Sequence, residues 1–123
     1  MQADDLRSAI QTYFEAIHEC DVEKLDKVFH SQSSLFDADN GEIFVESIES
    51  FRNDVAGRTS PQSVGQQLEA EILMIDFLSS LSATVKIRIR AHQNVFVDHL
   101  AFVKGSKGWK IVSKVWHLEQ VIA

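Results

Sequence analysis

Two charged residues, Asp98 and Lys114, interrupt apolar segments near the end of the chain and are the first candidates for chemistry. They lie in "NVFVDHLAFVKGSKGWKIVSKVWHLE" (residues 94–119), which predicts a β-hairpin of two apolar strands around a Lys/Gly turn. A buried carboxylate costs several kcal/mol unless it is paired. We therefore predict that Asp98 and Lys114 pair with each other and lock the sheet, or that they anchor a polar ligand.

The length of the turn decides whether these two side chains share a face, because antiparallel partners do. A three-residue connection, Gly105–Lys107, places Asp98 with Val112, Lys114 and Trp116. A four-residue connection places Asp98 with Ile111, Ser113 and His117 instead. From the residues alone, both registers remain open.

The remaining residue types that could do chemistry give weaker signals. His18, His92, His99 and His117 show no metal-ligand spacing, so we expect no metal site. Cys20 has no His or Asp placed by sequence to activate it and is expected to be a packed thiol. There is no phosphate-binding glycine loop or Gly-x-Ser-x-Gly motif, and no signal for a cofactor.

Composition narrows the class of protein. The chain has 123 residues and is 45% hydrophobic, which predicts one domain, 1–123, with a real core. Its net charge is −6 and no Lys/Arg cluster is present, so we expect no nucleic-acid or acidic-membrane partner. A lone cysteine, no basic-then-apolar secretion signal and no apolar run of about 20 residues favour a cytoplasmic location.

The first third of the chain is predicted to be helical, and a third helix follows further on. One apolar stripe has helical spacing: Leu6, Ile10, Tyr13, Phe14 and Ile17. Asp21 is predicted to cap a second short helix, and Ser47 a third helix that ends at Gly57. Between these two helices, "SSLFDADNGEIFVE" predicts two short strands around an Asn-Gly turn.

From residue 64 onward the pattern alternates with a period of two, which predicts four long antiparallel strands. In the first strand, one row contains Leu68, Ala70, Ile72 and Met74 and the other contains Glu69, Glu71 and Leu73. In the second strand, Lys86, Arg88 and Arg90 form a basic row that could face Glu69 and Glu71. The final hairpin is apolar on both faces, so both must be covered. Helices cover one face, and we expect a second copy to cover the outer face in a homodimer. The fold class is α+β.

This order of elements resembles the nuclear transport factor 2-like superfamily. The likeness covers nearly the whole chain and is carried by "YFEAIHECDVEKLDKVFH", "SSLFDADNGEI", "FVDHLAFVKGSKGWKIVSKVWH" and the long hairpin between them. It implies a cone-shaped fold, with three N-terminal helices on a strongly curved, mostly antiparallel sheet of about six strands. Three helices cannot fill such a sheet, so one end is expected to stay open as a pocket.

Within the superfamily the chain is most similar to a small bacterial group described as lumazine-binding. That group has Phe-His at the end of the second helix, Asp-Tyr-Leu on the fifth strand and a terminal Trp-Lys-Ile-x-Asn-Lys-Val-Phe-His. The matching residues here are Phe29 and His30, Asp98 to Leu100, and Trp109 to His117. The chain departs from the group at His99, Ser113 and Trp116, which replace Tyr, Asn and Phe.

A more distant likeness is to the ketosteroid isomerases and polyketide cyclases. In the isomerases a tyrosine on the first helix and an aspartic acid on the fifth strand donate hydrogen bonds to an oxyanion, while another aspartate moves the proton. The resemblance places these roles on Tyr13, Asp98 and Asp37, and it favours the register that puts Trp116 at the cavity. However, Lys114 would stabilise a charged Asp98, which accepts hydrogen bonds and cannot donate one.

Three functions remain as hypotheses. The first is a small-molecule-binding protein with a pocket inside the cone, whose expected ligand contacts are Tyr13, Phe14, His30, Phe96, Asp98, Leu100, Phe102, Lys114 and Trp116. The second is an isomerase, cyclase or dehydratase that works by proton transfer next to a carbonyl, with Asp98, Tyr13 and Asp37 as catalytic residues. The third is an interaction module whose cavity is closed and whose sheet only dimerises.

Overall fold

The computed structural model describes residues 2–123 as three α-helices and six β-strands. The helices are α1 (Gln2–Glu19), α2 (Val22–Val28) and α3 (Ile48–Ala56). The strands are β1 (Phe29–Asp37), β2 (Phe44–Ser47), β3 (Ala70–Ser79), β4 (Ser82–Ala91), β5 (Asn94–Gly105) and β6 (Gly108–Val121). A short 3₁₀ turn, Gln62–Val64, lies between α3 and β3.

Side-chain caps begin the two short helices at the predicted residues. Asp21 Oδ1 accepts hydrogen bonds from the backbone N–H groups of Glu23 and Lys24, at 3.0 and 3.2 Å. Ser47 Oγ accepts one from Ser50 at 3.1 Å. These contacts satisfy N–H groups that have no partner inside a helix.

The prediction that His30 ends the second helix is wrong. Helix α2 ends at Val28, and Phe29 caps it with extended backbone geometry. The chain therefore turns directly into β1, where His30 is exposed.

The six strands form one sheet in the order β2-β1-β6-β5-β4-β3. Strands β1 and β6 run parallel, and the other four pairs are antiparallel. This confirms the predicted α+β class, with three helices and a mostly antiparallel six-stranded sheet. The parallel junction joins β2, through β1, to the long final hairpin, and both β2 and the hairpin contribute residues to one cavity.

The register of the β5–β6 hairpin places Asp98 and Lys114 on the same face. Gly105 pairs with Gly108, so the turn has two residues and not three or four. A bulge at Val112 then adds one residue to β6, and Asp98 faces Trp116 while Leu100 faces Lys114. The outcome is the face predicted for a three-residue turn, reached through a shorter turn and a bulge.

A second bulge corrects the predicted pattern of β3. Ile72 pairs with Ile87 but Met74 pairs with Lys86, so Leu73 is the extra residue. Met74 consequently lies on the outer face with 42% of its surface exposed. Ile75 pairs with Val85 and occupies the inner position that was predicted for Met74. In the next strand the sequence alternation predicts an inward row of Leu81, Ala83, Val85, Ile87 and Ile89. The last four are buried in β4, whereas Leu81 precedes the strand and is 56% exposed.

The helices pack on one face of the sheet, here called the inner face. The main core joins Leu6 and Ile10 of α1 to Leu35, Val85 and Ile111 of the sheet. On the opposite, outer face, the predicted charge pairs are present: Arg88 Nη1 lies 2.6 Å from Glu71, and Arg90 Nη1 lies 2.9 Å from Glu69. Such exposed pairs each add at most about 1 kcal/mol.

Two further features of residues 2–123 bear on function. None of the described helices combines the length and apolar character that crossing a bilayer requires. Within the same residues, no three His, Cys, Asp or Glu side chains gather in an arrangement that could hold a metal ion.

Candidate functional site

A cavity of about 120 Å³ lies between the inner face and the helices, and five of the predicted site residues line it: Tyr13, Phe96, Asp98, Lys114 and Trp116. Six residues that were not predicted to belong to the site complete the lining: Ile17, Glu46, Phe51, Arg58, Ile89 and Ala91. The cavity opens to solvent. The cavity is thus lined on one side by α1, α3 and Arg58, which follows α3, and on the other side by β2, β4, β5 and β6.

Asp98 is the centre of the polar contacts in this cavity. Only 1% of its surface is exposed. Its Oδ2 accepts a hydrogen bond from the Tyr13 hydroxyl at 2.5 Å and lies 3.7 Å from Lys114 Nζ. Its Oδ1 is buried and has no hydrogen-bond partner among residues 2–123. One oxygen of the carboxyl group is therefore engaged and the other has unused accepting capacity.

Burial and charge shift the pKa values of the two partners of Asp98 in opposite directions. Burial raises the pKa of Tyr13 well above 10.0, and the neighbouring charge of Asp98 raises it further. Burial lowers the pKa of Lys114, and Arg58 lowers it further, whereas Asp98 opposes both effects. Tyr13 is thus held as a neutral donor, and Lys114 is a less basic amine than an exposed lysine.

Three aromatic rings surround the ammonium group of Lys114. Its Nζ lies 4.7 Å from the ring centroid of Phe51, 5.2 Å from that of Tyr13 and 5.9 Å from that of Trp116. Cations are attracted to aromatic rings within about 6 Å. Trp116 is itself held in place by Phe44, whose ring packs edge-on at a centroid distance of 5.9 Å. The walls of the cavity around Lys114 are therefore largely apolar.

Glu46 and Arg58 add a second pair of charges to the cavity. Glu46 belongs to β2 and pairs with Leu35, which in turn pairs with Lys114, so all three lie in one row across the sheet. Its carboxylate accepts a hydrogen bond from Ser50 Oγ at 2.9 Å. The pKa of Glu46 is raised, first by burial and also by nearby Asp54. Arg58 lies over the ring of Phe51 at 5.4 Å.

The other predicted site residues lie outside this cavity. Phe14, Leu100 and Phe102 are buried in the core. His30 is exposed, and its Nδ1 accepts a hydrogen bond from Gln32 N at 3.1 Å. Asp37 ends β1, and its Oδ1 accepts one from Asp39 N at 3.2 Å, as an ordinary turn residue does.

This geometry favours binding over the isomerase mechanism for Asp98. An aspartate that accepts a hydrogen bond from Tyr13 and pairs with Lys114 is arranged as an acceptor, and the isomerase role needs a donor. The open cavity also differs from the closed one expected of a pure interaction module.

A second hollow of about 400 Å³ adjoins the cavity and shares Ile17, Arg58, Ala91 and Phe96 with it. Cys20 lies in its wall. Pockets for small molecules commonly measure about 300–1,000 Å³. The inner cavity alone is smaller than this and has room for one ring, and the adjoining hollow has room for the rest of a molecule.

Comparison with known proteins shows which chains share this architecture. A protein-family model described as "Putative lumazine-binding" matches residues 2–117. A comparison of the sequence with curated proteins finds no match.

Solved structures from bacteria have the same fold. A nuclear transport factor 2-like protein of unknown function from Silicibacter pomeroyi DSS-3 superposes with a TM-score of 0.83 at 20% identity, covering 95% of each chain. Another from Shewanella baltica OS155 gives 0.82 at 20% identity, covering 94% of this chain and 91% of that one. A cystatin-like fold protein from Burkholderia xenovorans LB400 gives 0.72 at 16% identity, covering 99% and 93%. At these identities the likeness shows the fold alone.

Proposed function

We propose that this chain, which belongs to the family described as putative lumazine-binding, binds a small, flat, largely apolar molecule in its cavity. The family is part of the nuclear transport factor 2-like superfamily. In the proposed complex the helices and the curved sheet form a cone around the ligand. Phe96 and Trp116 supply apolar contact area, and Tyr13, Asp98 and Lys114 orient the polar edge of the ligand.

The observation that carries this proposal is the unpaired Oδ1 of buried Asp98. Buried polar atoms normally have hydrogen-bond partners, and leaving one unsatisfied costs about 1–3 kcal/mol. A ring N–H of a heteroaromatic ligand would supply that missing donor, and a ring carbonyl would accept from Lys114. The lumazine in the family's description has both kinds of group, which supports a flat heteroaromatic ligand.

Binding is tested by native mass spectrometry of the purified protein, followed by denaturing extraction and by titration with lumazine and related heterocycles. Asp98→Asn keeps the shape of the side chain but removes its charge. We expect this variant to bind about 10–100-fold more weakly, since a hydrogen bond to a charged group contributes about 1.5–3 kcal/mol. Asp76→Asn, an exposed mid-strand change in β3, is the matched control and should bind like the unmodified protein. Equal affinity in Asp98→Asn would contradict the proposal.

A second candidate function, proton transfer next to a carbonyl group, is favoured by Glu46. This carboxyl group lines the cavity and its raised pKa suits a general acid or base. It would act in place of Asp37, which lies outside the cavity. The test is deuterium incorporation from D₂O into a small ketone added to the protein. Incorporation that is lost in Glu46→Gln supports the enzyme, and incorporation that persists unchanged in that variant counts against it.

We propose in addition that the protein is a homodimer that associates through the outer face of the sheet. Val103 and Val115, on the outer face of β5 and β6, are 41% and 51% exposed. Apolar side chains concentrated on one face of a sheet usually mark an interface. The cavity lies on the opposite side and would stay open in such a dimer.

A further inference from the structure

The ammonium group of Lys114 has an unusual combination of surroundings. The residue is only 7% exposed, yet it lines the cavity. Its nearest carboxylate oxygen is 3.7 Å away, which is too long for a hydrogen bond. Three aromatic rings enclose it. Within residues 2–123 its ion-pair partner is Asp98, and that contact is longer than a hydrogen bond, so the nitrogen is held near a carboxylate without being hydrogen-bonded to it.

We propose that Lys114 is a nucleophilic amine that captures small flat aldehydes and ketones as a Schiff base in the cavity. The inference rests on the proposed function, because the cavity must first admit a small molecule. It adds the class of ligand and a covalent step. A lysine becomes a nucleophile when it is removed from water or placed beside another cation. Burial is the largest cause and lowers the pKa of Lys114, and Arg58 lowers it further, while Asp98 and Glu46 raise it without reversing the shift.

The groups around Nζ can handle the protons of this reaction. The amine nitrogen attacks the carbonyl carbon, and the carbonyl electron pair moves to oxygen, which takes up the proton that nitrogen gives off. The nitrogen lone pair then forms the C=N bond as the C–O bond breaks, and oxygen leaves as water with a second proton. One water is released for each imine, with no oxidant or reductant. The free Oδ1 of Asp98 is the proton relay, while Oδ2 keeps its bond to Tyr13.

The dimensions of the site define which carbonyl compounds would react. The aromatic walls favour a planar substituent on the carbonyl carbon, and about 120 Å³ limits the inner part to one ring. Larger substituents must extend past Arg58 into the adjoining hollow. An aromatic aldehyde such as benzaldehyde is therefore a suitable probe.

The test is reductive trapping with benzaldehyde and sodium cyanoborohydride, followed by intact mass measurement and peptide mapping. The amine reacts only when neutral, and the lowered pKa of Lys114 leaves more of it neutral at pH 7, so we expect Lys114 to be labelled at least about tenfold faster than Lys86. This preference should shrink towards pH 10. Tyr13, Glu46, Arg58 and Asp98 are the titratable or charged groups that face Lys114 and shape this profile. Because the labelled lysines are mapped on the unmodified protein, this result does not depend on whether any variant folds.

Two variants sharpen the result. Lys114→Arg should abolish the fast labelling, and Lys86→Arg, which changes a lysine on the outer face of β4, should leave it intact. Labelling spread evenly over the surface lysines overturns the inference. If benzaldehyde protects the protein in thermal shift but Lys114 stays unlabelled, the covalent step fails and the proposed binding function survives. If no probe or heterocycle binds at all, both fail.

Discussion

The hydroxyl group of Tyr13 is fully buried and donates its hydrogen bond to a carboxylate. Ionising it would place a second negative charge beside Asp98 without water to solvate it. Its pKa is therefore raised well above 10.0. The folded protein keeps the phenol proton at a pH where the unfolded chain loses it. The stability linked to this group is present below pH 10.0 and is lost as the pH rises through the raised pKa.

This shift can be measured directly because Tyr13 is the only tyrosine in the chain. In a spectrophotometric titration we expect tyrosinate absorbance near pH 10 in urea but only at higher pH, together with unfolding, in the native protein. In Asp98→Asn the native tyrosine should ionise at a lower pH than in the unmodified protein, because one of the causes of the shift is gone. Tyrosinate that forms near pH 10 while circular dichroism stays native would show that Tyr13 is not buried.

Of the four charged residues that line the cavity, two could be found from the sequence and two could not. Asp98 and Lys114 were detectable because a charge within an apolar strand has a large cost and needs a reason. Glu46 and Arg58 gave no such signal, since a Glu near the end of a short strand and an Arg in a loop are ordinary surface residues. Only the pairing of β2 with β1, and of β1 with β6, places Glu46 in the row of Lys114.

At the scale of elements, the sequence correctly predicted where a helix begins when a single side-chain contact determines that position. Asp21 and Ser47 cap the helices as predicted, because a side-chain acceptor for free N–H groups is specified by the adjacent sequence. Strand register was harder, because a single extra residue exchanges the two faces of a strand. The bulge at Leu73 moved Met74 outward, and the bulge at Val112 compensated for a shorter turn than predicted.

At the scale of the whole molecule, the sheet has one covered face and one bare face. The inner face packs against the helices and forms the cavity. The outer face mixes charged pairs, which run across β3 and β4 and reach Glu119 on β6, with apolar residues on β5 and β6, including Val97 and Val115. Two copies related by a twofold axis could bury this apolar part against itself. Dimerisation and binding would then use opposite sides of one sheet and could be separated by mutation.

The single change Val115→Glu tests this separation. It places a charge in the middle of the proposed interface, where burying it without a partner is costly. We expect the unmodified protein to sediment as a dimer. We expect the dissociation constant of the Val115→Glu dimer to be at least about tenfold higher, a change of about 1.4 kcal/mol.

Leu78→Glu is the control: this side chain, 88% exposed, lies at the far end of β3 next to the β3–β4 turn. A monomeric unmodified protein, or equal dissociation of the two variants, would count against the outer-face dimer. Ligand binding should persist in Val115→Glu, because the cavity lies across the sheet from position 115 and no residue of the outer face contributes a polar group to it.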